Sequence, residues 1–283
     1  MEKIKDQNIR IISPKKSLFD LELRALFQYK DLIVSFVKRD ISTIYKQTIL
    51  GPLWFILGPL LTVFIMSIVF GRIVNIPTQG VPKILFFLLG MTFWNYFSMN
   101  VSTISSTFQS YSGIFSKVYF PRLIAPIAQI LSNSIKFLIQ FILFICFLSY
   151  YFYLGEEIRI NLVIIIIPFI MILMNMLAMG IGLIITSISV KYRDLSHFMG
   201  FGLNILFYIT PIIYPLELVP FELKWVVRLN PLSSFFELLK VAFFNSGDIS
   251  IFGIVYSIIS SVFLFLVGII LYSQKQRHFT DTI

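Results

Sequence analysis

The side chains best suited to chemistry in this sequence are basic and aromatic. They crowd together where a polar segment meets the first long uncharged run, at Arg39, Tyr45, Lys46 and Trp54. Such side chains anchor helix ends in the headgroup layer of a membrane. This stretch is therefore predicted to mark the point where the chain passes from water into lipid, with Pro52 near a helix start.

Aromatic residues make up 17% of the chain, and many lie within apolar runs. Most are expected to face lipid or to form belts at the membrane interface. Some are candidates to line a conduit, because sugar rings stack their apolar C–H faces on aromatic rings while sugar hydroxyls require polar neighbours. The conduit-lining candidates are Trp54, Phe55, Phe93, Trp94, Tyr96, Phe97, Asn100, Tyr208 and Tyr214.

Several kinds of chemistry are missing from the sequence. None of the 14 acidic residues lies in the middle of an apolar run, whereas ion-coupled carriers usually keep an intramembrane carboxylate. No glycine precedes a lysine, so there is no Walker A motif for ATP hydrolysis. The acidic or His-rich loops of a membrane-embedded enzyme, such as a glycosyltransferase, are also missing. We expect no catalytic residue, metal site or cofactor on this chain, and no nucleic-acid partner despite its net charge of +9.

Lys136 is the one charge deep inside an apolar run. A charged side chain in lipid costs several kcal/mol, so such a residue is a functional candidate by default. The sequence is compatible with a Lys136 that faces a water-filled path or a partner subunit. It is equally compatible with a side chain that reaches the membrane surface because the span begins late.

The composition predicts an integral membrane protein. Only 13% of the residues are charged, against about 25% in soluble domains, and 57% are hydrophobic. The segment 1–46 is mostly polar, so no cleavable signal peptide is expected. Within it, apolar residues recur at helical spacing from Leu18 to Ile44. This pattern predicts an amphipathic helix at the membrane interface, or alternatively a soluble helix packed on a partner protein.

Six apolar runs are long enough to cross a bilayer, which needs about 20 residues. They predict an all-α transmembrane domain at 47–283, with spans at about 48–71, 84–110, 125–153, 162–190, 195–214 and 251–272. Residues 216–246 are too apolar for a free loop, and Glu237 and Lys240 argue against a seventh span. They predict two short re-entrant helices in the outer leaflet, the second with Asn230 as N-cap and Pro231 in its first position.

Basic residues are unequally divided between the two sides of the predicted membrane domain. With the N-terminus inside, sixteen of the 23 Lys and Arg residues fall in cytoplasmic segments and six in outer ones. Both termini are therefore predicted to be cytoplasmic. The loop 111–124 is then cytoplasmic too, and its apolar residues indicate a protein partner or packing on the N-terminal helix. Its candidate contact residues are Tyr111, Phe115, Lys117, Tyr119 and Phe120.

Six motifs occur in order along most of the chain. They are RD at 39–40 followed by YKQTILGPLW at 45–54, VFG at 69–71, KVYFPR at 117–122, KYRD at 191–194, TPIIY at 210–214 and NPL at 230–232. Together they resemble the membrane permease subunits of type-2 ABC exporters, in particular those that export O-antigen, teichoic acid and related polysaccharides. The first 16 residues lie outside this resemblance.

The resemblance implies a homodimer in the bacterial inner membrane, bound to two copies of a separate subunit that holds ATP and Mg²⁺. It implies that the loop 111–124 and the N-terminal helix contact that subunit. It implies a glycan on a polyprenyl pyrophosphate carrier as cargo, and Arg39, Lys46 and Arg122 become candidates to bind the pyrophosphate by charge complementarity. A lipid or drug exporter of the same superfamily is the alternative, and Lys136 matches no motif.

Overall fold

The computed structural model describes residues 28–46, 51–115, 117–118, 120–189 and 195–278. In chain order its α-helices are α1 (Lys30–Lys46), α2 (Trp54–Met66), α3 (Lys83–Ser105), α4 (Thr107–Ser110), α5 (Ser112–Phe115), α6 (Ile124–Tyr153), α7 (Ile167–Ser189), α8 (Leu195–Ile209), α9 (Phe221–Leu229), α10 (Pro231–Phe244) and α11 (Ile251–His278). The other elements are 3-10 turns at Gly51–Leu53, Leu162–Ile166 and Leu216–Leu218, and a π-helix over Ser67–Ile73 that continues α2.

The all-α membrane fold that the sequence predicts is confirmed, with five candidate spans among the described residues. These are Trp54–Ile73, Lys83–Ser105, Ile124–Tyr153, Leu162–Ser189 and Ile251–Gln274. The predicted span at 195–214 forms α8, whose apolar part, Phe198–Ile209, is shorter than the about 20 residues of a full crossing. The predicted span at 84–110 breaks after Ser105 and continues as the short helix α4.

The central helix of the bundle is α3, and most of its residues are buried. Helices α2, α6, α7 and α8 pack around it, and α11 packs along α7. The α7–α11 contact is close enough to require glycine on both helices. A Cβ atom added at Gly180 would lie 2.5 Å from the backbone carbon of Leu264, and one at Gly268 would lie 2.6 Å from the Gly180 oxygen. Small residues commonly allow such backbone contact between membrane helices.

The N-terminal part of α6 packs along α1. With 30 residues, α6 is about 45 Å long, which exceeds the about 30 Å of a hydrocarbon core. Its first turns are therefore expected to lie beside α1, outside the hydrocarbon. We call this side of the bundle the α1 end, and the opposite side, which carries α9 and α10, the α10 end.

Helix α10 begins as its sequence predicts. The Asn230 side chain accepts a hydrogen bond from the backbone N–H of Leu232 at 3.0 Å, and Pro231 is the first helical residue. The same side chain donates to Thr210 Oγ1 at 2.7 Å, just after α8 ends. One asparagine therefore caps α10 and joins it to the α8 segment, and almost all residues of α10 are buried in the chain.

Candidate functional site

An aromatic cluster joins α1 to the segment that follows α3. Phe36 of α1 lies 5.3 Å from Tyr111 and 5.6 Å from Phe120 between ring centroids, in edge-to-face arrangements. The Arg39 guanidinium lies 4.3 Å from the centre of the Tyr111 ring and 5.2 Å from that of Phe36. Phe115 completes the cluster at 5.5 Å from Phe120. These contacts combine apolar burial with cation–π attraction.

Asp40 adds an ion pair and a hydrogen bond to the aromatic cluster. One carboxylate oxygen pairs with Arg39 at 2.7 Å, and the other accepts a hydrogen bond from the Tyr111 hydroxyl at 3.1 Å. Burial and the neighbouring Asp40 carboxylate raise the pKa of the Tyr111 phenol, so Tyr111 remains a protonated donor at neutral pH. We call Arg39, Asp40 and Tyr111 the α1 clamp, because the three side chains hold α1 on the loop 111–124.

The candidate contact residues of this loop divide between the interior and the surface. Tyr111 and Phe120 are buried, Phe115 is half-buried, and Lys117 is exposed. Tyr119 lies outside the described residues. The buried members pack on α1, which is the second of the two alternatives that the sequence left open. Any partner therefore meets a surface formed jointly by α1 and this loop, and not a free apolar loop.

The three candidate phosphate-binding cations differ in how available they are. Arg39 is held in the α1 clamp, although 39% of its side chain is exposed. Arg122 is buried, and its guanidinium lies 5.5 Å from the centre of the Phe115 ring. Lys46 ends α1, but its side chain lies outside the described residues. The geometry thus leaves Arg39 partly accessible and encloses Arg122.

A chain of hydrogen-bonded amide side chains links α3, α6 and α7 and ends at Lys136. The Lys136 ammonium donates to Asn133 Oδ1 at 3.0 Å. Asn133 donates to Asn100 Oδ1 at 2.9 Å and to Thr103 Oγ1 at 3.0 Å, and Asn100 donates to Asn175 Oδ1 at 3.1 Å. The chain of four side chains Lys136, Asn133, Asn100 and Asn175, called the amide chain below, satisfies polar groups that would otherwise destabilise the bundle.

Most conduit candidates on α3 are used to pack the bundle. Phe93 and Tyr96 lie 5.2 Å and 4.8 Å from Phe137 of α6, and Trp94 lies 5.3 Å from Phe207 of α8. The buried candidates are Phe93, Trp94, Tyr96, Phe97 and Asn100. In this arrangement these side chains hold neighbouring helices together and present almost no surface to a passing molecule.

The remaining conduit candidates do reach the surface of the chain. Trp54 and Tyr208 are 53% and 66% exposed, while Phe55 and Tyr214 are half-buried. The Tyr214 hydroxyl lies 3.0 Å from the backbone oxygens of Tyr208 and Ile209, which ties the loop after α8 to the helix end. The accessible aromatic residues therefore lie at the start of α2 and on α8.

One face of α8 carries an exposed stripe, of which the sequence analysis named only Tyr208 as a candidate. It consists of Phe198, Phe201, Ile205 and Tyr208, and all four are exposed. Their spacing of three, four and three residues is the helical periodicity that marks one face, so this signal was present in the sequence. The outer surface of α2 and the π-helix that continues it is similarly apolar and exposed, at Leu57, Leu61, Phe64, Ile65 and Ile68.

The α10 end contains a buried ion pair and a cavity. Lys240 donates to Glu237 Oε1 at 2.8 Å and to the Tyr214 backbone oxygen at 3.2 Å. The second Glu237 oxygen accepts from the backbone N–H of Asp248 at 2.8 Å. Nearby, residues of α9, α10 and α11 surround a cavity of about 650 Å³, whose lining combines aromatic and aliphatic side chains with charged ones.

Comparison with known proteins gives consistent matches over most of the chain. Two proteins from Klebsiella pneumoniae, both named O-antigen export system permease protein RfbA, are each 27% identical to it over 251 and 253 residues. These regions cover 89% of this chain and 94% of each relative. A protein of the same name from Myxococcus xanthus is 26% identical over 226 residues, which cover 79% of this chain and 84% of that relative.

The family described as ABC-2 type transporter matches residues 31–244, from α1 to the end of α10. Because that match spans well over half of its length, the chain belongs to the ABC-2 type transporter family.

Proposed function

We propose that this multi-pass inner-membrane protein is the permease subunit of an ATP-driven exporter that moves a lipid-linked polysaccharide out of the cytoplasm. The observation that carries the proposal is the likeness, over 89% of the chain, to relatives named for O-antigen export. The family match supports a transport subunit and implies an ATP-binding partner. The cargo is a glycan on a polyprenyl pyrophosphate carrier.

The α1 end is the cytoplasmic side and the docking surface for the partner, which holds ATP and Mg²⁺. The excess of basic residues in the segments at this end supports the orientation. The docking surface combines the exposed side of α1 with the loop 111–124, where Lys117 and Val118 are exposed. Because the α1 clamp ties these two elements together, the partner contacts them as one surface.

Two copies of the chain form the conduit between their α2 and α8 faces. The exposed stripe on α8 and the apolar face of α2 support this arrangement, since both flank the buried helix α3. Trp54, Phe55, Tyr208 and Tyr214 are the conduit-lining residues, and the buried aromatics of α3 support them from behind. Helix α8 completes a sixth crossing, while α9 and α10 dip into the outer leaflet.

Loss of surface polysaccharide tests the exported cargo. A strain that lacks the gene is predicted to retain lipid-linked glycan inside the cell and to lose polysaccharide from its surface, and the wild-type gene is predicted to restore it. Surface labelling and extraction of the lipid-linked pool measure the two effects. Unchanged surface polysaccharide, combined with loss of export of a lipid or a drug, would instead establish the alternative cargo.

Cysteine cross-linking tests the homodimer. The exposed Cys146 is first replaced by Ser, and a single cysteine is then introduced at Phe201 on the α8 stripe. Oxidation in membranes is predicted to join two copies of the Phe201→Cys chain. The matched control is Ile142→Cys, which is 61% exposed on α6 and is predicted to remain a monomer. Cross-linking of both variants to the same extent would contradict the arrangement.

A further inference from the structure

Lys136 lies level with the start of the first span. It is twelve residues from the beginning of α6, about 18 Å, and this part of α6 packs along α1. The Lys136 ammonium is 5.9 Å from the ring centre of Phe55, which is the second residue of α2. Lys136 is therefore placed at the α1 boundary of the membrane, and not at its middle.

The hydrogen bonds of the amide chain all run in one direction, and they fix the position of the Lys136 ammonium. Lysine has only donors, so Asn133 must turn its carbonyl oxygen toward Lys136 and its amide nitrogen toward Asn100. Asn100 then donates to Asn175, so each bond points from α6 through α3 to α7. Asn133 and Asn100 are 2% and 0% exposed, whereas Lys136 is half-buried. Among the described residues, this chain engages one of the three N–H groups of the ammonium.

The charge of Lys136 is not balanced by its neighbours. Among the described residues Lys136 forms no ion pair, and Asp40 on α1 pairs with Arg39 and accepts from the neutral Tyr111 hydroxyl. Arg39 and Asp40 cancel one another, which leaves one net positive charge at Lys136. It is also the only charged residue of the five candidate spans that does not lie at a span end. A half-buried ammonium at this boundary attracts an anionic group.

We infer that Lys136 binds the phosphate of an anionic lipid at the cytoplasmic boundary, with Phe55 as the adjacent apolar wall. A phosphate oxygen accepts a charge-assisted hydrogen bond from the ammonium. The phosphate comes from membrane phospholipid or from the transported carrier. Only the second source rests on the proposed function.

Lipid binding to the full-length chain, purified with its ATP-binding partner in an uncharged detergent, tests this site. The probes are phosphatidylglycerol, polyprenyl phosphate and the phosphate-free polyprenol, and native mass spectrometry measures their Kd values. Lys136→Gln keeps a donor for Asn133 but removes the charge, and is expected to weaken binding of the phosphate lipids at least about tenfold. Lys136→Arg is expected to retain binding, and polyprenol binding is expected to be the same in all variants.

The matched control is Lys38→Gln, which removes an exposed cation from α1 at the same side of the membrane. It is expected to change binding by less than about twofold, because exposed charges are well screened. Unchanged phosphate-lipid binding in Lys136→Gln overturns the inference, and so does an equal loss in Lys38→Gln. A loss confined to polyprenyl phosphate assigns the site to the carrier, and a loss for both phosphate lipids assigns it to lipid phosphate in general.

A second variant covers the case in which Lys136→Gln does not fold. Phe55→Glu leaves the amide chain intact and places a competing carboxylate beside the ammonium. It is expected to weaken binding of the phosphate lipids by a similar factor, and unchanged binding in this variant overturns the inference. None of these measurements requires export, so the lipid-phosphate site and the proposed function can fail independently.

Discussion

The buried pair Glu237–Lys240 offers a quantitative test of the α10 end. Their side chains are 4% and 5% exposed, and they lie 2.8 Å apart. Lys240→Met fills a similar space but leaves the Glu237 carboxylate with the Asp248 N–H alone. Removal of one partner from a buried pair typically costs about 3–5 kcal/mol, because an uncompensated charge stays in the interior. We expect a loss of folding free energy in that range.

The double variant Glu237→Gln/Lys240→Met removes both charges and keeps an acceptor for the Asp248 N–H. It is expected to recover most of the loss and to lie within about 1–2 kcal/mol of the wild type, since a buried pair contributes little beyond a neutral replacement. Reversible unfolding in mixed micelles, followed by circular dichroism during titration with sodium dodecyl sulfate, measures all the variants. A double-mutant cycle then isolates the coupling between the two residues.

The exposed pair Arg159–Glu157 is the matched control for this cycle. Its side chains are 74% and 85% exposed and 3.3 Å apart. Glu157→Gln is expected to leave the unfolding midpoint unchanged, because solvent-exposed pairs contribute little. A cost of less than about 1 kcal/mol for Lys240→Met, or a double variant less stable than Lys240→Met alone, would contradict a buried charge pair at this site.

Three further predictions use the same unfolding measurement. Gly180→Ala forces a Cβ atom against the Leu264 backbone and should cost about 1–3 kcal/mol, whereas Gly58→Ala, with open space at its Cβ position, should not destabilise the chain. Tyr111→Phe keeps the ring over Arg39 but removes the hydrogen bond to Asp40, and should cost about 1.5 kcal/mol. Asn230→Ala removes the α10 cap and the bond to Thr210, and should cost about 1–2 kcal/mol. Equal stability of each variant and the wild type would contradict these contacts.

The features that sequence analysis predicted correctly are local ones. The Asn230–Pro231 helix start needs only two neighbouring residues, and the structure confirms it. Membrane character and the long apolar helices follow from composition and from runs without charge. Each of these signals depends on chemistry within one or a few helical turns, so a single sequence is sufficient to detect it.

The orientation of the aromatic residues was not available from the sequence. A buried core position and a lipid-facing position are both apolar, so Phe93 and Phe97 of α3 look the same as Phe198 and Phe201 of α8. The structure buries the first pair and exposes the second. Helical spacing could have identified the α8 stripe as one face. It could not have shown whether that face is inside or outside.

Contacts between segments that are distant in the sequence also could not be predicted. Asp40 and Tyr111 are 71 positions apart, and nothing in the local pattern predicts their hydrogen bond. From the sequence, Lys136 was placed deep inside a span because its position was counted from the ends of an apolar run. The structure shows that the first part of that run packs beside α1 and that Lys136 lies beside Phe55 at the start of α2, which a residue count along α6 does not reveal.

Transport by the purified complex is the most direct test of ATP-driven export of a lipid-linked glycan. The chain and its ATP-binding partner are reconstituted in vesicles with the partner facing outward, and a polyprenyl pyrophosphate-linked glycan is added to the outer leaflet. Glycan is predicted to become protected from an external glycosidase only when ATP and Mg²⁺ are present. Active ATP hydrolysis by the complex, with no ATP-dependent protection of the glycan, would contradict this prediction.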